Sequence, residues 1–417
     1  MARSYLTFLL AVVMVAPMAM ALTTPPAETP EGTERAVFVG NNWEGTADVL
    51  KFDPEAGTFT HIARLNIIPD IEERRTEILL DPVRHGYFLG IRMLVGEGHD
   101  QFVDDMYSSA DGKLLIVSRP SLADVIALDI ESGEIVWRFK VAGQRSDHMA
   151  LSPDGKYVAV SASTGNVVHI IDIATGQEAG RFPSGDSPHE NVYSADGSKI
   201  YHASIGLVYT PLDHPLLDGT KGARYFQIVD TATNQILKRI NIGQKLAEAG
   251  YKDMSSAMRP MALSPDERYL YFQVSFFHGF IEYDLQEDRV LRVAHLPNFV
   301  PDMPRELYLL DSAHHGLAMN DAGTKLCVAG TMSDYAAIVD RANFSDLTLT
   351  LKPEGKSYWA TTSDDGEHCF VSWSGLDLVS ALSYETGDVV AEAPVGYHPQ
   401  RVRTGVVRSE WVQEQLA

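Results

Sequence analysis

The sequence predicts an all-β fold, a seven-bladed β-propeller whose last blade is closed by strands from the two ends of the chain. A unit of short apolar strand, Ser-x-Asp-Gly turn or close variant, and second apolar strand recurs about every 42 residues, which is the length of one propeller blade. Residues 36–39 have the pattern of a second strand, whereas residues 400–405 have that of a first strand. Joined in one sheet, these segments complete a blade and remove the free edges of an open array. The turns are residues 109–112, 152–155, 194–197, 264–267, 320–323 and 363–366.

The first residues have the layout of a secretory signal peptide. Arg3 precedes an apolar run over residues 5–16, Pro17 interrupts the chain, and Ala19 and Ala21 mark a small-residue cleavage site. The run is too short and too interrupted for a typical membrane span, and an uncleaved anchor is the alternative. We expect a signal peptide over residues 1–21, a disordered, proline-rich lead-in over residues 22–34 and a single propeller domain over residues 35–417. The mature protein is then periplasmic or secreted, with no stable membrane span.

Strand and turn signals place the blades along the chain. Blade two runs over residues 103–142 and blade three over residues 147–183. Gly- or Asn-centred turns, as in residues 131–133 and 232–234, precede the last strand of a blade and favour tight hairpins. Six or eight blades are the alternatives to seven if residues 67–101 lack or hide a blade. Blades four to seven begin near His189, Arg259, His315 and Tyr358.

Composition restricts the partners and cofactors. The net charge is −22 and Lys and Arg form no run, which argues against nucleic acid as a partner because phosphate binding needs clustered cations.

The two cysteines, Cys327 and Cys369, lie in the second strands of successive blades and project from opposite sheet faces, which abut between neighbouring blades. A disulfide and a pair of buried thiols both fit this placement. Without Cys-x-x-Cys-His, covalent c-type haem is excluded.

Two motifs carry a resemblance to a known family. The chain resembles the YVTN family of bacterial seven-bladed propellers in three features. These are the Ser-Pro-Asp-Gly-Lys-Tyr turn at residues 152–157, the Ile-Asp-Ile-Ala-Thr-Gly run at residues 171–176 and the repeat length. More distantly, the pattern is similar to the propeller heavy chains of quinoprotein amine dehydrogenases, which are exported. The resemblance covers almost everything after Arg35 and implies a fold but no activity. One turn departs from the pattern, because Glu267 stands where the other copies have Gly.

The long insertions belong, by strand order, to one face of the propeller. Long loops on one side of a rigid scaffold are the usual platform for a functional site. We therefore expect this face to bind either a small-molecule ligand or a protein partner. The insertions are residues 66–102, 206–224, 244–258 and 298–313.

The first strand of each blade is predicted to place chemically active side chains around the central funnel. A purely structural ring would tolerate almost any small residue, so a ring of His, carboxylate, Arg and aromatic side chains predicts a site. The position eight residues before each turn glycine, or its equivalent, holds Asp104, Asp147, His189, Arg259, His315 and Tyr358, with His398 closing the ring to within a residue. The next position holds Asp105, His148, Glu190, Pro260, Gly316 and Trp359.

Three interpretations of this ring compete. In the first, His189, His315, His398 and Asp147 bind a transition-metal ion (Cu, Zn, Fe or Mn), because neutral imidazoles from separate blades can converge on one ion. In the second, the ring is catalytic without a metal. In the third, the side chains line a wet channel and bind only water.

The catalytic interpretation uses His148, His189, Arg259 and Tyr358. A histidine acts as general acid or base while Arg259 holds a substrate carboxylate in a bidentate contact. The sequence contains no nucleophile elbow, His-Glu-x-x-His motif or phosphate-binding glycine loop.

The predicted function is therefore that of an exported propeller that binds a small ligand or metal ion in a His-lined funnel, with lyase or metal-assisted oxidoreductase chemistry left open. The alternative is a non-catalytic interaction scaffold, or the heavy subunit of a complex like the quinoprotein amine dehydrogenases.

Overall fold

The computed structural model describes residues 29–207, 220–308 and 312–417. Within these ranges the chain forms seven four-stranded antiparallel sheets, which confirms the predicted seven-bladed β-propeller. The expected signal peptide and residues 22–28 of the expected lead-in lie outside the described residues, and the first strand begins at Thr33. No helix in the described ranges has the length and apolar character needed to cross a membrane.

Each sheet is one blade with its strands in chain order, except the closing blade, in which β28 precedes β1. The closing blade contains β28 (Pro399–Arg408), β1 (Thr33–Asn41), β2 (Thr46–Asp53) and β3 (Thr58–Asn66). Blades two and three contain β4 (Met106–Ser108), β5 (Leu114–Arg119), β6 (Asp124–Asp129), β7 (Ile135–Lys140), β8 (Ser146–Leu151), β9 (Tyr157–Ala162), β10 (Val167–Asp172) and β11 (Glu178–Pro183). Blades four and five contain β12 (Pro188–Tyr193), β13 (Lys199–Ser204), β14 (Phe226–Asp230), β15 (Gln235–Ile240), β16 (Met258–Leu263), β17 (Tyr269–Val274), β18 (Gly279–Asp284) and β19 (Arg289–His295). Blades six and seven contain β20 (Leu317–Met319), β21 (Lys325–Gly330), β22 (Tyr335–Asp340), β23 (Leu347–Leu351), β24 (Ser357–Thr362), β25 (His368–Trp373), β26 (Leu378–Ser383) and β27 (Val389–Pro394).

The repeated turn has a clear chemical basis. In blade three, Ser152 Oγ donates to Asp154 Oδ1 at 2.7 Å and accepts the Tyr157 backbone N–H at 2.9 Å, so one side chain closes the hairpin. Gly155 follows in the left-handed region, with φ of +69°, where glycine is favoured. In blade five Glu267 adopts the same region, with φ of +52°, and its carboxylate accepts the backbone N–H of Ala195 in the neighbouring blade. This contact accompanies the one departure from the repeat.

The two ends of the chain share a sheet, as predicted. β28 pairs antiparallel with β1 from Thr33–Arg408 to Asn41–Pro399, so the C-terminal strand is the innermost strand of the closing blade. Apolar side chains fill the spaces between blades; Val125 and Ala127 of blade two, for example, pack in one cluster with Met149, Val158 and Val160 of blade three. A disulfide between Cys327 and Cys369 joins blades six and seven, which decides between the two alternatives left open by the sequence.

Residues 67–101 hold two helices instead of a blade. α1 (Ile71–Leu80) and α2 (Pro82–Leu94) are separated by Asp81, whose carboxylate caps α2 by accepting the backbone N–H groups of Val83 and Arg84. Pro82 occupies the first turn of α2, where its missing N–H costs nothing. α3 (Ile242–Glu248) begins two residues before the third insertion and continues into it, and α4 (Ser409–Leu416) is the last helix.

Candidate functional site

A recurring irregularity in the innermost strands builds the wall of the funnel. In five sheets the pairing of the first strand with the second is irregular. Between two successive backbone pairs, the first strand advances three residues while the second advances only two, as between Ser146–Ala162 and Met149–Val160. Such a β-bulge leaves two consecutive residues opposite one partner and redirects their side chains. The bulged pairs are Asp147–His148, His189–Glu190, Arg259–Pro260, Tyr358–Trp359 and Gln400–Arg401.

The remaining two blades place their pairs just before a short first strand. Asp104 donates its backbone N–H to Ser118 O, next to β4, and Gly316 accepts the Ala329 N–H, next to β20. Equivalent positions around the funnel are therefore Asp104, Asp147, His189, Arg259, His315, Tyr358 and Gln400, followed by Asp105, His148, Glu190, Pro260, Gly316, Trp359 and Arg401.

The seventh ring position corrects the sequence-based assignment. Gln400, not His398, is equivalent to the other six residues, because Pro399 pairs with Asn41 just before the bulge. His398 lies two residues earlier, in a left-handed conformation with φ of +58°. Its ring stacks on Trp43, with centroids 3.5 Å apart and planes 4° apart. This stack holds His398 away from the cluster of imidazoles that it was predicted to join.

Three imidazoles converge in the funnel. One ligand atom from each of His148, His189 and His315 lies within 4.8 Å of the others. The ring centroids of His148 and His189 are 3.9 Å apart, and that of His315 is 6.0 and 6.2 Å from these two. The three residues are at most 4% exposed and come from three different blades. His148, predicted as a catalytic residue of the funnel, completes the cluster with His189 and His315, which His398 was expected to join as a metal ligand.

Burial and nearby arginines favour the neutral form of the three imidazoles. Burial lowers the pKa of each well below its usual value; the charge of Arg401 is the next cause for His148 and His315, and that of Arg259 for His189. A neutral imidazole carries the lone pair that binds a metal ion or accepts a proton. Nδ1 of His189 and of His315 is buried without a hydrogen-bond partner among the described residues.

Glu190 orients His148. Its Oε2 lies 2.5 Å from His148 Nδ1, which leaves Nε2 as the atom of that ring available to a ligand. Burial raises the pKa of Glu190 to about 8. A carboxyl group on the distal nitrogen of a histidine is the usual support for a metal-ligating imidazole.

A second group of ligand atoms adjoins the imidazoles. Asp104, Asp147 and His148 also bring their ligand atoms within 4.8 Å of one another. Burial raises the pKa of Asp104 to about 7 and raises that of Asp147, and the two carboxyls repel each other. Arg145 donates to Asp147 Oδ2 at 2.7 Å. The predicted metal ligand Asp147 is therefore near the imidazoles but already paired.

Besides Arg145, three more arginines lie around this cluster. Arg259, one of the predicted catalytic residues, lines the funnel and donates from Nε to Ser275 Oγ at 2.9 Å. Arg403 forms two 2.8 Å hydrogen bonds with Asp105. Arg401 is fully buried 3.6 Å above the ring of Trp359, and its three guanidinium nitrogens have no hydrogen-bond partner among the described residues. Sequence reasoning missed Arg401 and Arg403 of β28.

The funnel opens into one cavity of about 1070 Å³ on the long-loop face. Tyr358, the last predicted catalytic residue, lines it, and its ring centroid lies 4.2 Å from that of His315. Three of the four insertions contribute to the wall: α2 from the first, Leu207 from the second, and Leu307 with Tyr308 from the fourth. The cavity therefore has a polar floor of ring residues and a rim built by the insertions.

The comparisons with known proteins address the fold. No family model matches the chain, and no curated protein matches it. Among solved structures, the chain is similar to one described as Kuenenia stuttgartiensis hydrazine synthase, with a TM-score of 0.54 and 15% identity, over 74% of this chain and 96% of that chain. At this identity the likeness shows the propeller fold alone.

Proposed function

We propose that the protein binds one transition-metal ion through His148, His189 and His315 and uses it on a small substrate held in the cavity. The observation that carries the proposal is the convergence of three neutral, buried imidazoles within 4.8 Å. Three protein ligands with an open position are the usual arrangement of a catalytic metal site. The Glu190 carboxyl group on His148 supports the same role.

The identity of the metal ion decides between a lyase and an oxidoreductase. Imidazole ligands suit Zn, Cu and Fe. Zn has no redox chemistry and would act as a Lewis acid in a lyase, whereas Cu or Fe would support an oxidoreductase. In both, Tyr358 and the carboxyl groups of Asp104 and Asp147 are the groups positioned to exchange protons with a substrate on the cavity floor.

We further propose that the protein works in the periplasm or outside the cell and belongs to the YVTN-type repeat propellers. The disulfide between Cys327 and Cys369 supports an oxidising compartment, where such bonds persist. The recurring Ser-x-Asp-Gly turns support the repeat type.

Elemental analysis tests the metal site. The purified protein, and the protein refilled by dialysis against Zn, Cu, Fe or Mn salts, should hold about one ion per chain. His189→Ala and His315→Ala should each lose most of it. His169→Ala is the matched control, because His169 is equally buried but lies in β10, away from the funnel. Equal metal content in all variants, or none in any refilled sample, would remove the proposed site.

A non-catalytic docking function is the second candidate, because α1 and α2 expose apolar side chains that do not line the cavity. Leu79, Leu80 and Leu89 are 65%, 80% and 43% exposed. Such a cluster on a rigid face is typical of a protein-binding surface. Failure of the metal experiment would leave this function and metal-free ligand binding in the cavity as the two supported alternatives.

A further inference from the structure

We infer that the cavity takes an amphiphilic substrate, with a carboxylate or other oxyanion at the funnel floor and an apolar body along α2. This inference rests on the proposed function, because it assigns the substrate class of the same site. Three features carry it: a glycine groove on α2, apolar side chains on two sides of the cavity, and the charge of the floor.

Two glycines form a groove where α2 faces the cavity. Gly86 and Gly90 both line it, and they are four positions apart, so they lie on the same side of the helix. A Cβ atom added at either position would meet no heavy atom within 4 Å, and neither residue needs a left-handed conformation. Glycine inside a helix is otherwise destabilising. Since nothing within the protein requires these glycines, the space they leave open is available to a ligand.

The side chains beside the groove are apolar and exposed. Val83, Tyr87, Met93 and Leu94 of α2 line the cavity, and each is 46–72% exposed. Across the cavity, Leu207 and Leu307 are exposed by 48% and 63%. Exposed apolar side chains gathered around one cavity indicate an apolar ligand, because isolated ones would be scattered.

The floor favours an anionic head group. Among the described residues, the guanidinium groups of Arg145, Arg259, Arg401 and Arg403 equal in number the carboxyl groups of Asp104, Asp105, Asp147 and Glu190, so these carboxyls cannot give the floor a net negative charge. A divalent metal ion on the imidazoles would add positive charge. Arg259 lines the cavity and presents the planar fork that suits a carboxylate. An anion would therefore bind at the floor, with its apolar part pointing toward α2.

Calorimetric titration with straight-chain carboxylates tests the inference on the metal-loaded protein. Each methylene added between butanoate and octanoate should tighten binding about fourfold, the gain expected for burying one CH₂ group. Octan-1-ol, which lacks the charge, should bind at least tenfold more weakly than octanoate. Affinities that do not change with chain length would overturn the inference.

Variants of the groove separate a ligand-binding role from a structural one. Gly90→Leu should lower octanoate affinity at least tenfold while leaving Tm unchanged or higher, because a helix former replaces glycine. Gly86→Ala, a smaller change, should act in the same direction. Leu89→Ala on the same helix is the control, since Leu89 does not line the cavity. Unchanged binding in both glycine variants would overturn the groove as the apolar subsite.

Metal content measured on the same samples distinguishes this inference from the proposed function. Bound metal without chain-length dependence would contradict the amphiphilic substrate alone. Chain-length dependence without bound metal would remove the metal and support the ligand assignment.

Discussion

At the scale of single residues, the site depends on keeping ionisable groups uncharged inside the funnel. His148 and Glu190 share a hydrogen bond, and burial lowers the pKa of the imidazole while it raises that of the carboxyl to about 8. In the metal-free protein each group therefore favours its neutral form, with the carboxyl proton donated to Nδ1 and the imidazole proton on Nε2. A metal ion at Nε2 would require that the pair release one proton, so that Nδ1–H donates to a Glu190 carboxylate. The pair can hold or release that proton without leaving the cavity floor.

This pair predicts a pH dependence of stability in the metal-free protein. Burial raises the pKa of Glu190 to about 8 from its ordinary value of 4.5, so the folded state binds the proton more tightly and stability falls as pH rises. Below about pH 6.5 the buried imidazoles have the opposite effect, because only the unfolded chain protonates them there. We expect a stability maximum near pH 6.5 and a decline of up to about 1.4 kcal/mol per pH unit per proton toward pH 8.

Glu190→Gln should flatten that decline, since glutamine keeps a hydrogen-bonding group and does not titrate. A smaller slope from Asp104, with its pKa of about 7, should remain. The measurement is urea unfolding in a chelator between pH 6.5 and 8. Glu55→Gln, at an exposed turn, should keep the wild-type slope. Identical slopes in the Glu190→Gln and wild-type proteins would show that Glu190 is ionised throughout this range.

At the scale of elements, α1 and α2 must be held firmly to form a cavity wall. Arg119 of β5 is fully buried and anchors them by binding Asp124 of β6 at 2.8 and 2.9 Å and Asp70, the residue before α1, at 2.6 Å. Burial acts to raise the pKa of Asp70, but the hydrogen bonds and charge of Arg119 outweigh it and lower that pKa. Arg84 of α2 adds a hydrogen bond to Leu122 O of blade two.

Arg119→Met should therefore loosen the helical insertion. Removing one partner of a buried ion pair costs up to about 3–5 kcal/mol, and here Asp124 would keep only Arg138 and Asp70 only Arg74 as cationic partners among the described residues. We expect that loss in urea unfolding, together with faster proteolysis within residues 67–101. Arg75→Met is the control: Arg75 is exposed on α1 and pairs only with Glu72 among the described residues, so its loss should cost less than about 0.5 kcal/mol. Equal effects of the two substitutions would show that Arg119 does not anchor the insertion.

At the scale of the whole molecule, the repeat made the fold predictable. The Ser-x-Asp-Gly turns fix the hairpins by local hydrogen bonds, so their spacing is visible in the sequence. The same spacing located the ring residues of blades two to seven, including His189 and His315. The closing blade has no such turn, because its first two strands come from opposite ends of the chain.

The missing turn in the closing blade explains which site residues could not be predicted from the sequence. With no turn glycine to count from, and with a β-bulge that is not visible in the sequence, His398 was chosen in place of Gln400, and Arg401 was not considered. The helices of the first insertion did leave a signal. Asp81-Pro82 marks a helix start, and apolar residues at positions 83, 87, 91 and 94 follow with helical spacing.

Ring closure is the feature on which the whole molecule depends. β28 supplies the innermost strand of the closing blade, and Arg403 of this strand binds the buried carboxylate of Asp105 in blade two. The same strand carries Arg401, which lies over Trp359 of blade seven. One strand therefore connects three consecutive blades. Its loss would expose the edge of β1 and remove the arginines that contact Asp105 and Trp359 in the funnel.

Two truncations test this closure. Removing residues 409–417 deletes only α4, whose Trp411 and Val412 pack at the base of the closing blade, and should give a less stable chain that still unfolds in one cooperative transition. Removing residues 399–417 also deletes β28 and should give a chain that aggregates or unfolds without a cooperative transition, because the unpaired β1 edge becomes a template for association. Circular dichroism during urea titration and light scattering on a sizing column measure both properties. Equal behaviour of the two truncations would show that the sheet formed by β1–β3 is stable without its inner strand. A peptide of residues 399–408 can also be added to the shorter chain. Recovery of a cooperative transition would then assign the defect to the missing strand itself.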